Sequence, residues 1–293
     1  MAIGGPAKFF ATVKTEKDLL EALRFAKKNK LPWTIVGTGS NLIVDDKGYK
    51  GVIIQNQISS FQRNSLNIKV GAGYSLLSFI YKANKLGLEG LERMAGIPGT
   101  IGGAIYGCAG AYGQEIKDHL VSVRFFNGKQ FKTVSAAQCG FGYRTSIFKK
   151  HKNWIITDAE FKLAKGSASQ LNKISRDIIK LREVKYKPGL KCPGSFFKNL
   201  KLSDMPEKTV ASLTKKIETD AVKFGKLPSG YLLERVGAKG IRLGGVAVAT
   251  HHANLIYNTG RGSASEVKKL STRLKALVKK KFGIIIDEEV QYL

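Results

Sequence analysis

Residues 194–199 read Gly-Ser-Phe-Phe-Lys-Asn, which sets the hydroxyl of Ser195 directly after a glycine and ahead of two aromatic rings. A hydrolase nucleophile elbow needs a second glycine two residues after the serine. Phe197 stands there, so an acyl nucleophile is disfavoured. A hydroxyl held by its neighbours can instead give its proton to a developing carbanion, and Lys198 and Asn199 are candidate helpers. The plain reading is a satisfied serine in a buried strand. Residues 143–149 read Tyr-Arg-Thr-Ser-Ile-Phe-Lys; Arg144 offers a planar fork suited to a carboxylate, against a plain reading of surface strand. Asp287-Glu288-Glu289 lies in an otherwise apolar terminal strand. Alternation sends Glu288 and Glu289 to opposite faces, so one can point inward as a candidate acid. The plain reading there is a charged sheet edge.

A second kind of chemistry is written in glycine. Residues 95–113 read AGIPGTIGGAIYGCAGAYG, with seven glycines in nineteen residues and no charge. Each glycine in a regular element costs about 0.5–1 kcal/mol relative to alanine, so something needs backbone free of Cβ. A membrane span, a ligand loop and a tight packing turn compete. Pro98 and the scarcity of Leu and Phe weigh against the span. Gly37-Thr38-Gly39-Ser40-Asn41 follows a strand-like run and suits a pyrophosphate cradle. It is not a Rossmann fingerprint, because no third glycine follows and no helical pattern opens there.

Composition narrows the class. The 293 residues support one or two domains, and the apolar content is that of a globular chain. Cys108, Cys139 and Cys192 are too few and scattered for a disulfide framework, and neither they nor His119, His151, His251 and His252 show metal spacing. No metal is expected. The start lacks the apolar core of a signal peptide, and a reducing, cytoplasmic setting is expected. Lys and Arg number 49 against 22 Asp and Glu, a net charge of +27. The lysines are spread along the chain, which reads as a solvated basic face that also favours an acidic, phosphorylated small substrate.

The elements that must position these groups follow from local pattern. Residues 15–29 read as a helix opened by a Thr15/Asp18 capping box. Strands are expected at 33–36, 42–44, 51–55 and 67–71, and a helix at 75–86. Residues 121–126 and 130–134 read as a hairpin turning at Asn127-Gly128. A strand at 154–163 and a helix at 168–184 follow, then a Pro/Gly/Lys linker at 185–192. Beyond it come a helix near 229–236, strands near 240–248 and 254–257, a helix at 263–282 opened by Ser263/Glu266, and a terminal strand at 284–292. The pattern is two-domain α+β.

Taken in order, GTGSNL at Gly37, GIPGTIGGA at Gly96, AGAYG at Ala109, YRTSIFK at Tyr143, GSFFKN at Gly194, GAKGIRLGG at Gly237, HAN at His252 and the terminal EEV resemble the UDP-N-acetylenolpyruvoylglucosamine reductase family of bacteria, nearly end to end. The resemblance implies an FAD-binding domain of the vanillyl-alcohol-oxidase or PCMH type, built of two α/β subdomains over residues 1–166. It implies a C-terminal α+β substrate domain over 180–293. The implied reaction is reduction of an enol ether in peptidoglycan precursor synthesis, with NADPH as reductant and FAD as carrier. FAD would lie against Gly37, Thr38, Gly39, Ser40 and Asn41, and against Gly96, Pro98, Gly99, Thr100, Gly102, Gly103, Ala104, Gly110, Ala111 and Gly113. Arg144 and Glu289 match the pair that polarises the substrate carboxylate, and Ser195 matches the proton donor. Asn199, Lys239, His252 and Arg182 match substrate contacts, with Arg182 and Lys239 toward the UDP diphosphate.

No insertion follows the Arg144 motif, so the chain resembles the shorter subgroup without a substrate-covering tyrosine loop. Two positions depart from the family: Cys108 stands where asparagine is usual, and Leu200 where proline is usual. An Asn-Thr segment is expected ahead of Gly4-Gly5-Pro6-Ala7. The expected partner is a UDP-sugar, with neither nucleic acid nor membrane insertion, and a monomer is favoured. Two other readings stand beside this one. An FAD oxidase of the same fold acting on another substrate would not need Ser195. A basic nucleic-acid-binding protein would leave the glycine stretch without a purpose.

Overall fold

The computed structural model describes residues 1–223 and 225–293. Their contacts divide the chain into two compact units that interleave along the sequence. One comprises Ala7–Ser40 and Lys50–Val184; the other comprises Met1–Pro6, Asn41–Tyr49 and Lys185–Leu293. A sequence division at one point cannot show such interleaving, because residues 1–6 and 41–49 carry no mark of the later unit.

The first unit holds a smaller and a larger main sheet beside two short strand pairs. In the smaller, strand Tyr49–Asn56 lies between Ala7–Val13 and Trp33–Val36 and runs parallel to the latter. The helix Glu16–Lys28 covers it, with Leu19, Ala22 and Ala26 packed with Val13, Val52 and Ile54. Its start is the expected capping box: Thr15 Oγ1 accepts from Asp18 N, and the Asp18 carboxylate accepts from Thr15 N. The larger sheet is antiparallel, in the order Phe131–Ser135, Leu120–Phe126, Ile155–Lys162, Asn67–Gly71 and Phe61–Asn64. Its hairpin turns at Asn127, whose side-chain oxygen accepts from Lys129 N and Gln130 N. The helix Leu76–Lys85 buries Leu76, Phe79, Ile80 and Ala83 in the same core as Ile68, Val70 and Phe161.

The glycine stretch contains an element that its composition hides. Residues Ile101–Tyr106 form a short helix capped by Thr100, whose hydroxyl accepts from Gly103 N. Ile101, Ala104 and Ile105 are buried, so tertiary packing overrides the low helix propensity of Gly102 and Gly103. Among the described residues no helix is long and apolar enough to cross a membrane.

The second unit packs a three-stranded antiparallel sheet, Arg242–Leu243, Val246–Val248 and Ile256–Asn258, with the long helix Ala264–Phe282. Val267, Leu270, Leu274, Val278 and Phe282 fill one core with Phe196, Phe197, Leu232, Leu233 and Ile256. At Gly245 a Cβ would sit 2.4 Å from the backbone carbon of Arg261, so only glycine fits. The long helix is capped twice. Ser263 and Glu266 form the expected box, and Asp46 accepts from Ala264 N at 2.7 Å and Ser265 N at 3.0 Å. A carboxylate there meets both the orphan donors and the positive end of the helix dipole. Asp46→Ala is therefore expected to cost about 1–2 kcal/mol, read as a lower thermal midpoint, and an unchanged midpoint would show the box alone to suffice.

Two expected strands take other forms. Residues 143–149 form a turn and the short helix Ile147–Lys150, because the backbones of Gly142 and Thr145 bond each other and leave no ladder. The terminal segment alternates buried Ile284, Ile286 and Val290 with exposed Ile285 and Asp287, yet only Gln291–Tyr292 is regular strand, paired parallel to Leu42–Ile43. The helix Glu207–Thr214 and the edge strand Ala7–Val13 had no expected counterpart.

Candidate active site

In the first unit the two glycine loops meet. A Cβ on Gly37 would lie 2.7 Å from Thr100 Oγ1, and Ser40 Oγ donates to Pro98 O at 3.4 Å. Gly39, Gly96, Gly99 and Gly113 all take positive φ. Beside this junction opens a cleft of about 240 Å³ lined by Gly37, Thr38, Thr100, Gly73, Asn56, Gln55, Gln57 and Ser59. Backbone held this close, with polar side chains around it, fits a dinucleotide diphosphate that needs donors near at hand. The far end of the stretch is fixed separately. Gln114 Nε2 donates to the buried carboxylate of Glu92 at 2.6 Å, and Gln114 Oε1 accepts from Arg93 N at 2.8 Å.

Arg144 is tied to the same stretch. Its guanidinium donates to Cys108 O at 3.2 Å and to Gly110 O at 3.0 Å. It sits in the Gly142–Thr145 turn at φ +57°, a left-handed conformation costing on the order of 1 kcal/mol for a residue with a Cβ. Lys149 Nζ donates to its carbonyl at 3.1 Å, and Ser146 Oγ bonds Tyr106 O at 2.8 Å, which anchors the turn to the short helix. Cys108 has φ +43°, a conformation that asparagine tolerates better than most residues. Its thiol is fully buried and pushed up to about 11 by that burial, so it stays protonated, and its role toward Arg144 runs through its carbonyl. Arg182, expected among the substrate contacts, belongs to this unit, where its Cδ would lie 3.0 Å from a Cβ on Gly96.

In the second unit residues 194–199 and 287–289 run side by side. Glu289 N donates to Phe196 O at 2.8 Å, Lys198 N donates to Asp287 O at 2.8 Å, and Phe197 bridges Glu288 in antiparallel fashion. Ser195 and Glu289 are thereby placed on adjacent chains. Phe196 and Phe197 are wholly buried anchors. The other side of the segment is clamped by Asn254, a 3% exposed residue that accepts from Phe197 N and donates to Phe197 O, both at 2.8 Å. The HAN motif contained this clamp, but sequence gave Asn254 no task, since its partner lies 57 residues away.

Of the two glutamates, Glu288 has its place fixed by the long helix. Glu288 faces the long helix, where it bonds Ser271 and pairs with Lys275 at 2.8 Å. Burial raises its carboxyl, but the Lys275 and Ser271 bonds outweigh that and hold it below its ordinary value. Glu288 is committed to fixing the terminal segment, which leaves Glu289 as the candidate acid. Asn41, expected among the cofactor contacts, belongs to this unit: its Nδ2 donates to Glu289 O at 3.0 Å, and its carbonyl accepts from Gln291 N.

The remaining expected contacts also fall here. Asn199 Oδ1 accepts from Ser229 N at 3.3 Å, and Lys239 pairs with Glu234. His252 Nδ1 is buried without a hydrogen-bond partner. Burial, aided by the charge of Lys185, brings the ring from an ordinary 6.5 down to about 4. Between those values the unfolded chain binds a proton that the folded chain does not, so stability falls as pH falls from 6.5 and levels off below about 4. His252→Gln is expected to flatten that part of the profile when thermal midpoints are compared at neutral and acid pH. Equal acid losses in both proteins would contradict it. Among the described residues no group of His, Cys, Asp or Glu is arranged to hold a metal ion.

Known proteins align with both units. Residues 7–130 match the family described as FAD binding domain, and residues 185–293 match the UDP-N-acetylenolpyruvoylglucosamine reductase C-terminal domain. The UDP-N-acetylenolpyruvoylglucosamine reductase of Solibacter usitatus is 44% identical over 291 residues, spanning 99% of this chain and 92% of its own. That of Carboxydothermus hydrogenoformans is 36% identical over 298 residues, spanning 99% and 89%. The crystal structure of the reductase from Thermus caldophilus superposes with a TM-score of 0.75 at 28% identity, covering 99% of this chain and 93% of that one. With its glycine loops in the matched FAD domain, and Ser195 and Glu289 in the matched C-terminal domain, the chain belongs to the UDP-N-acetylenolpyruvoylglucosamine reductase family.

Proposed function

We propose that the chain reduces the enolpyruvyl group of UDP-N-acetylenolpyruvoylglucosamine to give UDP-N-acetylmuramate in the cytoplasm, with NADPH as the source of electrons. FAD, when bound, supplies the hydride that reaches the terminal carbon of the alkene. The chain's own residues handle the charge and the proton. The alkene is conjugated to a carboxylate, so negative charge builds on that side as hydride arrives. Arg144 and Glu289 polarise the carboxylate and stabilise the enolate, an electrostatic contribution that is largest where water is excluded. Ser195 then delivers a proton to the adjacent carbon as general acid. Gly37, Thr38, Gly39, Ser40 and the stretch from Gly96 to Gly113 would hold the cofactor. Lys239, His252, Asn199 and Arg182 would hold the nucleotide-sugar, the cations meeting its diphosphate.

The observation that supports this reading is the pairing of residues 194–199 with 287–289, whose Glu289 N to Phe196 O bond brings the segments that carry Ser195 and Glu289 together. An oxidase of the same fold has no use for the Ser195 hydroxyl. The test is turnover: purified protein given FAD, NADPH and UDP-N-acetylenolpyruvoylglucosamine, with the product weighed by mass spectrometry. A product heavier than the substrate by two hydrogens is expected. NADPH consumed only with oxygen, and unchanged substrate, would overturn the reading.

A further inference from the structure

Tyr186 has no task in the reaction just described, yet its hydroxyl lies 2.8 Å from Ser195 Oγ within the second unit. The contact is held from two sides. His251 Nε2 lies 3.0 Å from the carbonyl of Lys185, the residue before Tyr186. The ring of His252 stands against the Tyr186 ring at 6.0 Å between centroids, tilted by 53°. Lys185 and Lys239 place positive charge near the His252 ring, opposed by Glu234.

The chemistry needs such a partner. A serine hydroxyl that gives up its proton alone leaves an alkoxide, a far stronger base than a phenolate. A tyrosine hydroxyl ionises near 10 in water, so a phenol behind the serine makes the pair a much stronger acid than serine by itself. We propose that Tyr186 is a positioning residue that replaces the proton on Ser195 Oγ as Ser195 protonates the substrate. The Ser195 O–H bond breaks toward the substrate carbon and forms the new C–H bond. The electron pair left on Oγ takes the Tyr186 proton as the Tyr186 O–H bond breaks. The phenolate that remains is reprotonated by water before the next turnover. Two protons move in one step, and charge balances throughout.

The proposal rests on Ser195 being the proton donor, and the test separates the two. Protein reduced by NADPH without oxygen is mixed with UDP-N-acetylenolpyruvoylglucosamine, and the return of the flavin absorption is timed. Wild type, Ser195→Ala, Tyr186→Phe and the double variant are compared in mixtures of light and heavy water. Tyr186→Phe is expected to slow the return by about a hundredfold, and to change the rate by less than about twofold when Ser195 is already alanine. The wild-type rate is expected to depend on the deuterium fraction along a curve, as two moving protons require, and Tyr186→Phe along a straight line. The bleaching by NADPH, timed beforehand, reports whether each variant is sound. A wild-type rate at the speed of Tyr186→Phe, an equal slowing in both serine backgrounds, or a straight wild-type line would overturn the role of Tyr186. The wild-type line needs no variant and decides the matter even where Tyr186→Phe fails to fold. A Ser195→Ala protein as fast as wild type would instead remove the proton-donor reading beneath it.

Discussion

Ser195→Ala is expected to bind FAD and to be bleached by NADPH as wild type is, while the return of the flavin absorption with substrate slows by about 10²–10⁴-fold. The separation follows from where Ser195 sits. It belongs to the unit of residues 185–293, whereas Gly37–Ser40 and the glycine stretch lie in the other. Its hydroxyl meets that of Tyr186 at 2.8 Å but takes no part in the backbone bonds that clamp its segment. Those run through the backbones of Phe196, Phe197 and Lys198 to Asn254, Asp287 and Glu289. Alanine therefore removes a proton and leaves the fold, so a thermal midpoint near wild type should accompany the slow step. Loss of flavin, or a return as fast as wild type, would contradict the assignment.

Arg144→Lys is the second large effect. The two residues share a charge but not a geometry. Arginine spans Cys108 O and Gly110 O at 3.2 and 3.0 Å with two of its nitrogens, which a single ammonium cannot do in the same way. It also offers the planar fork that a carboxylate in an enolate-forming step needs. Losing a donor aimed at developing charge costs about 10²–10³-fold in rate, and that loss is expected here in the return of absorption with substrate. Because the same side chain holds the glycine stretch, a weaker hold on FAD is expected beside it, read by titration of the apoprotein. An activity within tenfold of wild type would mean that Arg144 only braces the loop.

Much of this site was legible because its signals are local. The Thr15/Asp18 and Ser263/Glu266 boxes and the Asn127 turn each need residues within three or four positions, and each formed as read. What was not legible depends on distant partners. The helix Ile101–Tyr106 exists because its buried face meets a core, against the propensity of its glycines. The turn at Arg144 depends on a left-handed backbone that sequence does not advertise in an arginine. Sequence offers Glu288 and Glu289 side by side, and which one is committed elsewhere required seeing Ser271 and Lys275, thirteen or more residues away. The same holds for Asn41. It reads as part of a phosphate loop, yet its side chain grips the carbonyl of Glu289 across 248 residues of sequence.

The most direct test of the central claim is the absorption spectrum of the purified, FAD-loaded protein through one reaction cycle without oxygen. Flavin bands that bleach with NADPH and return in full on adding one equivalent of UDP-N-acetylenolpyruvoylglucosamine are the expected result. Bands that stay bleached with that substrate and return only when oxygen is admitted would contradict it.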